Sequence, residues 1–145
     1  MTRLYTLAMA ELINLSMRWL HLSAMAVLVG GLLYTRLAAL PAGGEMEAGT
    51  RTKLADREAA LYRPWLIAAM IGLVVSGLYN MLSTPGHTPR YHVLLGIKLL
   101  LAAHVFGAAL VATRAGNTRR SRLLAGAAIS GLAILLIAAY LRRIF

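Results

Sequence analysis

Three ionisable side chains fall where lipid is expected: His21, Lys98 and His104 each lie inside a long apolar run. A charge at the centre of a spanning helix costs about 2.5–3.5 kcal/mol on insertion scales. Residues of this kind face a bundle interior or a cavity, and they mark a path, a ligand or a cofactor. Neutral imidazole ligates haem iron and copper. His21, in Arg18-Trp19-Leu20-His21, is therefore the leading candidate ligand. Its competing role is structural, as a buried histidine hydrogen-bonded to a carbonyl.

The third apolar run supplies a second ligand three times over, in His92, Lys98 and His104. On a helix, Lys98 is rotated about 240° from His92, and His104 about 120° from His92. The three cannot all face one site. His92 lies beside Tyr91 near the end of its run, where an interfacial role competes. Lys98 is too far in to reach the interface easily, and His104 is deepest. Two axial ligands on facing helices need similar heights. If the first span begins near Arg18, His21 is three residues in and pairs with His92. If it begins near Leu12, His21 is nine in, level with Lys98 and within about 8 Å of the height of His104.

A haem also needs partners for its propionates. Arg18, Arg90, Tyr79 and Tyr91 gather at that same end, and arginine offers a bidentate fork to a carboxylate. Each also suits an interfacial anchor. A copper reading comes from Met17, His21 and Met25, which share one helical face. Thioether plus imidazole suits Cu(I), although a Met stripe also serves packing. The five acidic residues all lie in polar segments, so no buried carboxylate marks a proton-coupled transporter. No hydrolase triad and no phosphate loop is visible. The chain has no cysteine, which excludes thiolate metal sites and iron–sulfur clusters.

The elements that must position these residues are transmembrane helices. The 145 residues are 59% hydrophobic and only 14% charged, with mean hydropathy +0.69. Soluble domains average about 45–50% apolar and about 25% charged. The apolar residues form four runs near bilayer length, expected to span at about 12–40, 61–82, 91–113 and 123–141. The first is too long for one untilted crossing, so either the helix tilts or the residues before Arg18 form an interfacial turn. Pro41-Ala42-Gly43-Gly44 is expected to end it. The polar stretch 45–63 is expected to be partly helical and to lead into the second span. Short loops favour an all-α antiparallel four-helix bundle in a single domain. Glycines at 30, 31, 72, 77, 96, 107, 126 and 131 suit close helix packing. Glu11 and Arg18 break any short signal core, so the first span is expected to act as the insertion signal.

The net charge of +10 would suggest nucleic acid in a soluble protein. Here the arginines cluster at span ends, as topology determinants and headgroup anchors. Nine Lys/Arg flank the first and third loops: Arg36, Arg51, Lys53, Arg57, Arg63, Arg114, Arg119, Arg120 and Arg122. The other side has five: Arg3, Arg18, Arg90, Arg142 and Arg143. The positive-inside rule then places both termini on the non-cytoplasmic side of a multi-pass protein, expected in the inner (plasma) membrane.

Residues 18–41, with His21, Gly30-Gly31, Tyr34, Arg36 and Pro41 at the key places, resemble the first helix of the CopD-type copper-resistance proteins and the related HemJ-type protoporphyrinogen oxidases. Gly96-Ile97-Lys98-Leu99-Leu100-Leu101 resembles their third helix. The resemblance implies a helical membrane bundle and, for HemJ-type members, b-type haem held by the first-helix histidine with the third-helix lysine opposite or nearby. Those places fall on His21 and Lys98. The HemJ pattern has a histidine just before that lysine and another further on, whereas here the nearest are His92 and His104.

The expectation is a b-type haem protein with iron held by His21 and either His104 or Lys98, acting in membrane electron transfer or haem-dependent oxidoreduction. A quinone, a porphyrin or a redox protein is the expected partner class, and the glycine faces suit a homodimer. The alternatives are a copper-handling protein using His21, Met17, Met25 and His92, or a structural subunit of a membrane complex.

Overall fold

In the computed structural model, residues 2–83 and 88–144 are described, with side chains for 5–83 and 88–141. His87, Arg3, Arg142 and Arg143 therefore carry no side-chain description. The chain folds into four helices: α1 (Tyr5–Glu45), α2 (Ala48–Ser83), α3 (Pro89–Ala112) and α4 (Arg120–Ile144). All four are long and apolar enough to cross a membrane. α1 packs along α2, α3 packs along α4, and the middle of α1 also meets α4.

Helix α1 runs straight through Arg18, so the expected alternative of an interfacial turn there is not what the chain adopts. It continues through Pro41 and closes in a 3-10 turn at Gly43–Glu45. Two of its turns, Ala26–Gly30 and Thr35–Ala39, widen to π-helix. Such turns are local insertions that concentrate at functional sites. At the first, the Tyr62 hydroxyl of α2 donates to the Val27 carbonyl at 2.6 Å. The tyrosine fits only because residue 31 is glycine, since a Cβ there would overlap its hydroxyl and ring.

As expected, the polar stretch continues into the second span as one helix. Pro64 lies inside it. The N–H it lacks would have met the carbonyl of Ala60, an exposed residue. The α1–α2 register is fixed by Tyr79 Oη donating to Asn14 Oδ1 at 2.8 Å, by His21 against Ser76, and by Tyr62 against Val27. Residue 14 of α1 thus lies level with the far end of the second span. His21, two turns further along α1, lies beside Ser76, inside the second apolar helix rather than at its end.

The bundle is closed at one end and loose at the other. At the closed end Leu28, Leu32, Leu66, Val105 and Ala109 are almost fully buried. Ala108, Ala109 and Ala112 belong to the same core as Leu124 and Ala127, where small side chains let helices approach closely. The last carbonyls of α3, which have no partner within the helix, are met by side chains. Arg63 donates to Leu110, Asn117 to Val111 (2.7 Å) and Arg120 to Ala112 (2.9 Å). Arg120 is buried and also pairs with Asp56 at 2.6 Å. Asp56 accepts the Gly116 N–H as well, at 3.0 Å. Gly116 has φ +66°, a turn conformation that glycine adopts without strain. The Arg120 guanidinium, with that N–H, holds the Asp56 carboxyl below the usual carboxylate range.

Candidate functional site

Toward the other end, α2 and α3 diverge. Between them, floored by α1 and α4, lies a cavity of about 430 Å³. Ligand sites commonly measure about 300–1,000 Å³ and are mainly apolar, with few polar groups. The lining here follows that pattern. Met25, Leu28, Leu73, Met81, Phe106 and Ile134 are among its apolar walls, and its ionisable members are His21 and Lys98. Val74, Leu78 and Leu99 also line it while being more than half exposed on the bundle surface. The mouth is therefore a lateral gap between α2 and α3 on the apolar outer surface of the bundle.

The orientation of His21 follows from a short relay. Ser76 is fully buried and has one hydroxyl proton. It donates that proton to the Gly72 carbonyl at 2.5 Å. Its oxygen is left to accept, and it accepts from His21 Nδ1 at 2.9 Å. The Nδ1 nitrogen is thereby assigned the N–H, so that in the neutral ring the lone pair is on Nε2. Metal-ligating histidines are typically fixed in the same way, the second nitrogen donating to a protein acceptor. Gly77, one residue on, leaves ordinary contact space beside the ring: a Cβ there would lie 3.7 Å from His21 Cε1.

The sequence-derived candidates separate cleanly. His21 and Lys98 line one cavity. His104 does not: it is exposed on another face of α3, leaning over α4, with Nε2 3.4 Å from where a Cβ on Gly126 would lie. The expected pairing of His21 with His104 is thus not the one the fold brings together. The rotation of α3 decides this, because Val105, Ala108, Ala109 and Ala112 turn toward the core and carry His104 away from α1. His92 is also outside the cavity. It is exposed at the start of α3, its Nδ1 hydrogen-bonded to the Thr88 carbonyl at 3.0 Å and its ring edge-on to Tyr91. Arg18 and Arg90 are exposed and do not line the cavity. Tyr79 is engaged with Asn14. Of the thioethers, Met25 lines the cavity and Met17 does not.

Sequence reading missed three residues. Ser76 was recognisable as the lone serine of an apolar span, four residues after Gly72. Met81 and Tyr62 carried no comparable signal. Among the described residues no cluster of three or more His, Asp or Glu is placed to hold a metal. Comparison with family models, curated proteins and solved structures found no match to this chain.

Proposed function

We propose that this chain is a multi-pass membrane protein that binds b-type haem in the cavity between α2 and α3 and serves electron transfer or haem-dependent oxidoreduction. The observation that carries the reading is the His21–Ser76–Gly72 relay, which commits Nδ1 and leaves Nε2 without a protein partner among the described residues, beside an apolar cavity of about 430 Å³. The donor set fits the group. His21 Nε2 would hold the iron, and Lys98, on the same cavity from α3, is the second nitrogen donor. Bound there, haem would supply one-electron chemistry. Ser76 keeps the imidazole in one tautomer and one orientation. The apolar walls exclude water, and Lys98 is the cationic member of the lining, suited to a carboxylate or to the iron itself. A quinone, a porphyrin or a redox protein is the proposed electron partner. The proposed location is the inner (plasma) membrane with both termini outside the cytoplasm, on the strength of the nine-to-five division of Lys and Arg.

The test is optical. Protein purified after expression with ample haem should show a sharp b-type α band on dithionite reduction and release its haem to acidified acetone. His21→Ala should abolish the band. A colourless wild-type protein from haem-replete cells would sink the proposal.

A second reading has one specific observation behind it: Met25 and Met81 line the same cavity as His21. Imidazole with two thioethers suits Cu(I). Stoichiometric copper by metal analysis, lost in Met81→Leu, would favour it over haem.

A further inference from the structure

His104 poses a problem that the cavity does not solve. It lies in the second half of α3, is exposed along the border with α4, where its Nε2 edge passes over Gly126, and makes no hydrogen bond among the described residues. An imidazole carries one N–H and one lone pair, and at that depth lipid offers partners for neither. Its surroundings are patterned. Val93, Ile97, Leu100, His104, Gly107 and Val111 are all exposed, and their spacing runs four, three, four, three, four. That is the alternation of an a/d seam, in which two helices wind round each other with a left-handed twist. At 100° per residue the six fall within about 40° either side of one line along α3. Beside Gly107 a Cβ would meet nothing within 4 Å, so another helix has room to approach there.

We propose that the occupant of this seam is a second copy of the chain, with α3 against α3 and His104 hydrogen-bonded to His104 across a two-fold axis along the membrane normal. The membrane fixes the geometry of such a pair. All copies insert with one orientation, so a two-fold related helix is parallel and each residue meets its own counterpart at the same depth. One imidazole is complementary to another, one ring donating an N–H and the other accepting on a bare nitrogen. A single polar residue in an otherwise apolar seam also fixes register. Lipid would cover the apolar positions equally well but leaves His104 unmet. The cavity opens elsewhere, between α2 and α3, so the dimer does not depend on what the cavity binds.

The chain has no cysteine, so introduced thiols report alone. Single variants Leu100→Cys, Gly107→Cys and Val111→Cys, oxidised in native membranes, should form a disulfide dimer. Ile129→Cys and Leu136→Cys, exposed on α4, should not. These variants keep His104. In lipid nanodiscs, His104→Leu should lower the dimer fraction at least tenfold at fixed protein-to-lipid ratio, and His104→Asn, which again carries a donor and an acceptor, should restore much of it. Cross-links from α4 rather than α3, cross-links to a different protein, or a His104→Leu variant as dimeric as wild type would each overturn the proposal.

Discussion

His21 Nδ1 and Ser76 Oγ lie 2.9 Å apart across the α1–α2 contact, and the serine's own proton is already committed to Gly72. The histidine is thus the donor, and its tautomer is set by a residue outside the cavity lining. Ser76→Ala should leave the fold intact while freeing the ring to rotate. Loss of an outer partner of this kind typically weakens ligand-site affinity about 10–100-fold. Haem titration of the apo-protein, read at the Soret band, should show that loss. Unchanged affinity would mean that Ser76 does not orient the ligand.

Lys98 and His104 make opposite predictions. Lys98→Met should alter or remove the α band, because its amine shares the cavity with His21. His104→Leu should leave the reduced spectrum as it is, because that ring faces away. Spectra in which His104→Leu loses haem and Lys98→Met keeps a wild-type band would reverse the assignment.

Gly31 and Tyr62 should be coupled. Gly31→Ala places a methyl group where the Tyr62 hydroxyl and ring now rest. Overpacking of that kind costs about 1–3 kcal/mol. Tyr62→Phe removes only the hydroxyl's bonds to the Val27 and Leu28 carbonyls, and interhelical bonds in membranes average about 0.6 kcal/mol. Thermal denaturation in detergent should therefore show a clear fall for Gly31→Ala and a small one for Tyr62→Phe.

The Asp56–Arg120 pair should be felt in acid. The folded carboxyl is held below its usual range, chiefly by the Arg120 hydrogen bond. Its contribution is complete above the ordinary Asp value of about 3.9 and is lost as pH falls through the lower folded value. Asp56→Asn should thus lower stability at neutral pH and flatten its acid dependence. Denaturation midpoints of both proteins across pH 2–7 would show curves that converge at the acid end. Parallel curves would remove the pair from the account.

Much of the architecture was legible because the bilayer imposes it: four apolar runs of spanning length become four helices. The ends were less so. α1 starts before residue 12 and passes Pro41 by one turn before it closes at Gly43–Glu45. The two π turns left no trace in the sequence, because they follow from packing against Tyr62 and α4 rather than from local preference. The angular separation of Lys98 and His104 was plain from helical geometry. Which of them faced α1 was not, because that depends on which face of α3 lies on α4, and alanine and glycine occur on several faces of that helix. The depth of His21 was open for a similar reason. Its resolution rests on Asn14 meeting Tyr79 two turns away, a contact between two polar residues that no spacing rule announces.

The gap between α2 and α3, rimmed by Val74, Leu78 and Leu99, would set the medium from which the proposed site is filled. A compound entering there must first partition into the bilayer, which acts as its reservoir. Occupancy then tracks the mole fraction of the compound among the lipids rather than its concentration in water. Poorly soluble molecules gain an advantage that their aqueous levels would not foretell, and dilution of the membrane with extra lipid competes with binding even when every solute total is unchanged.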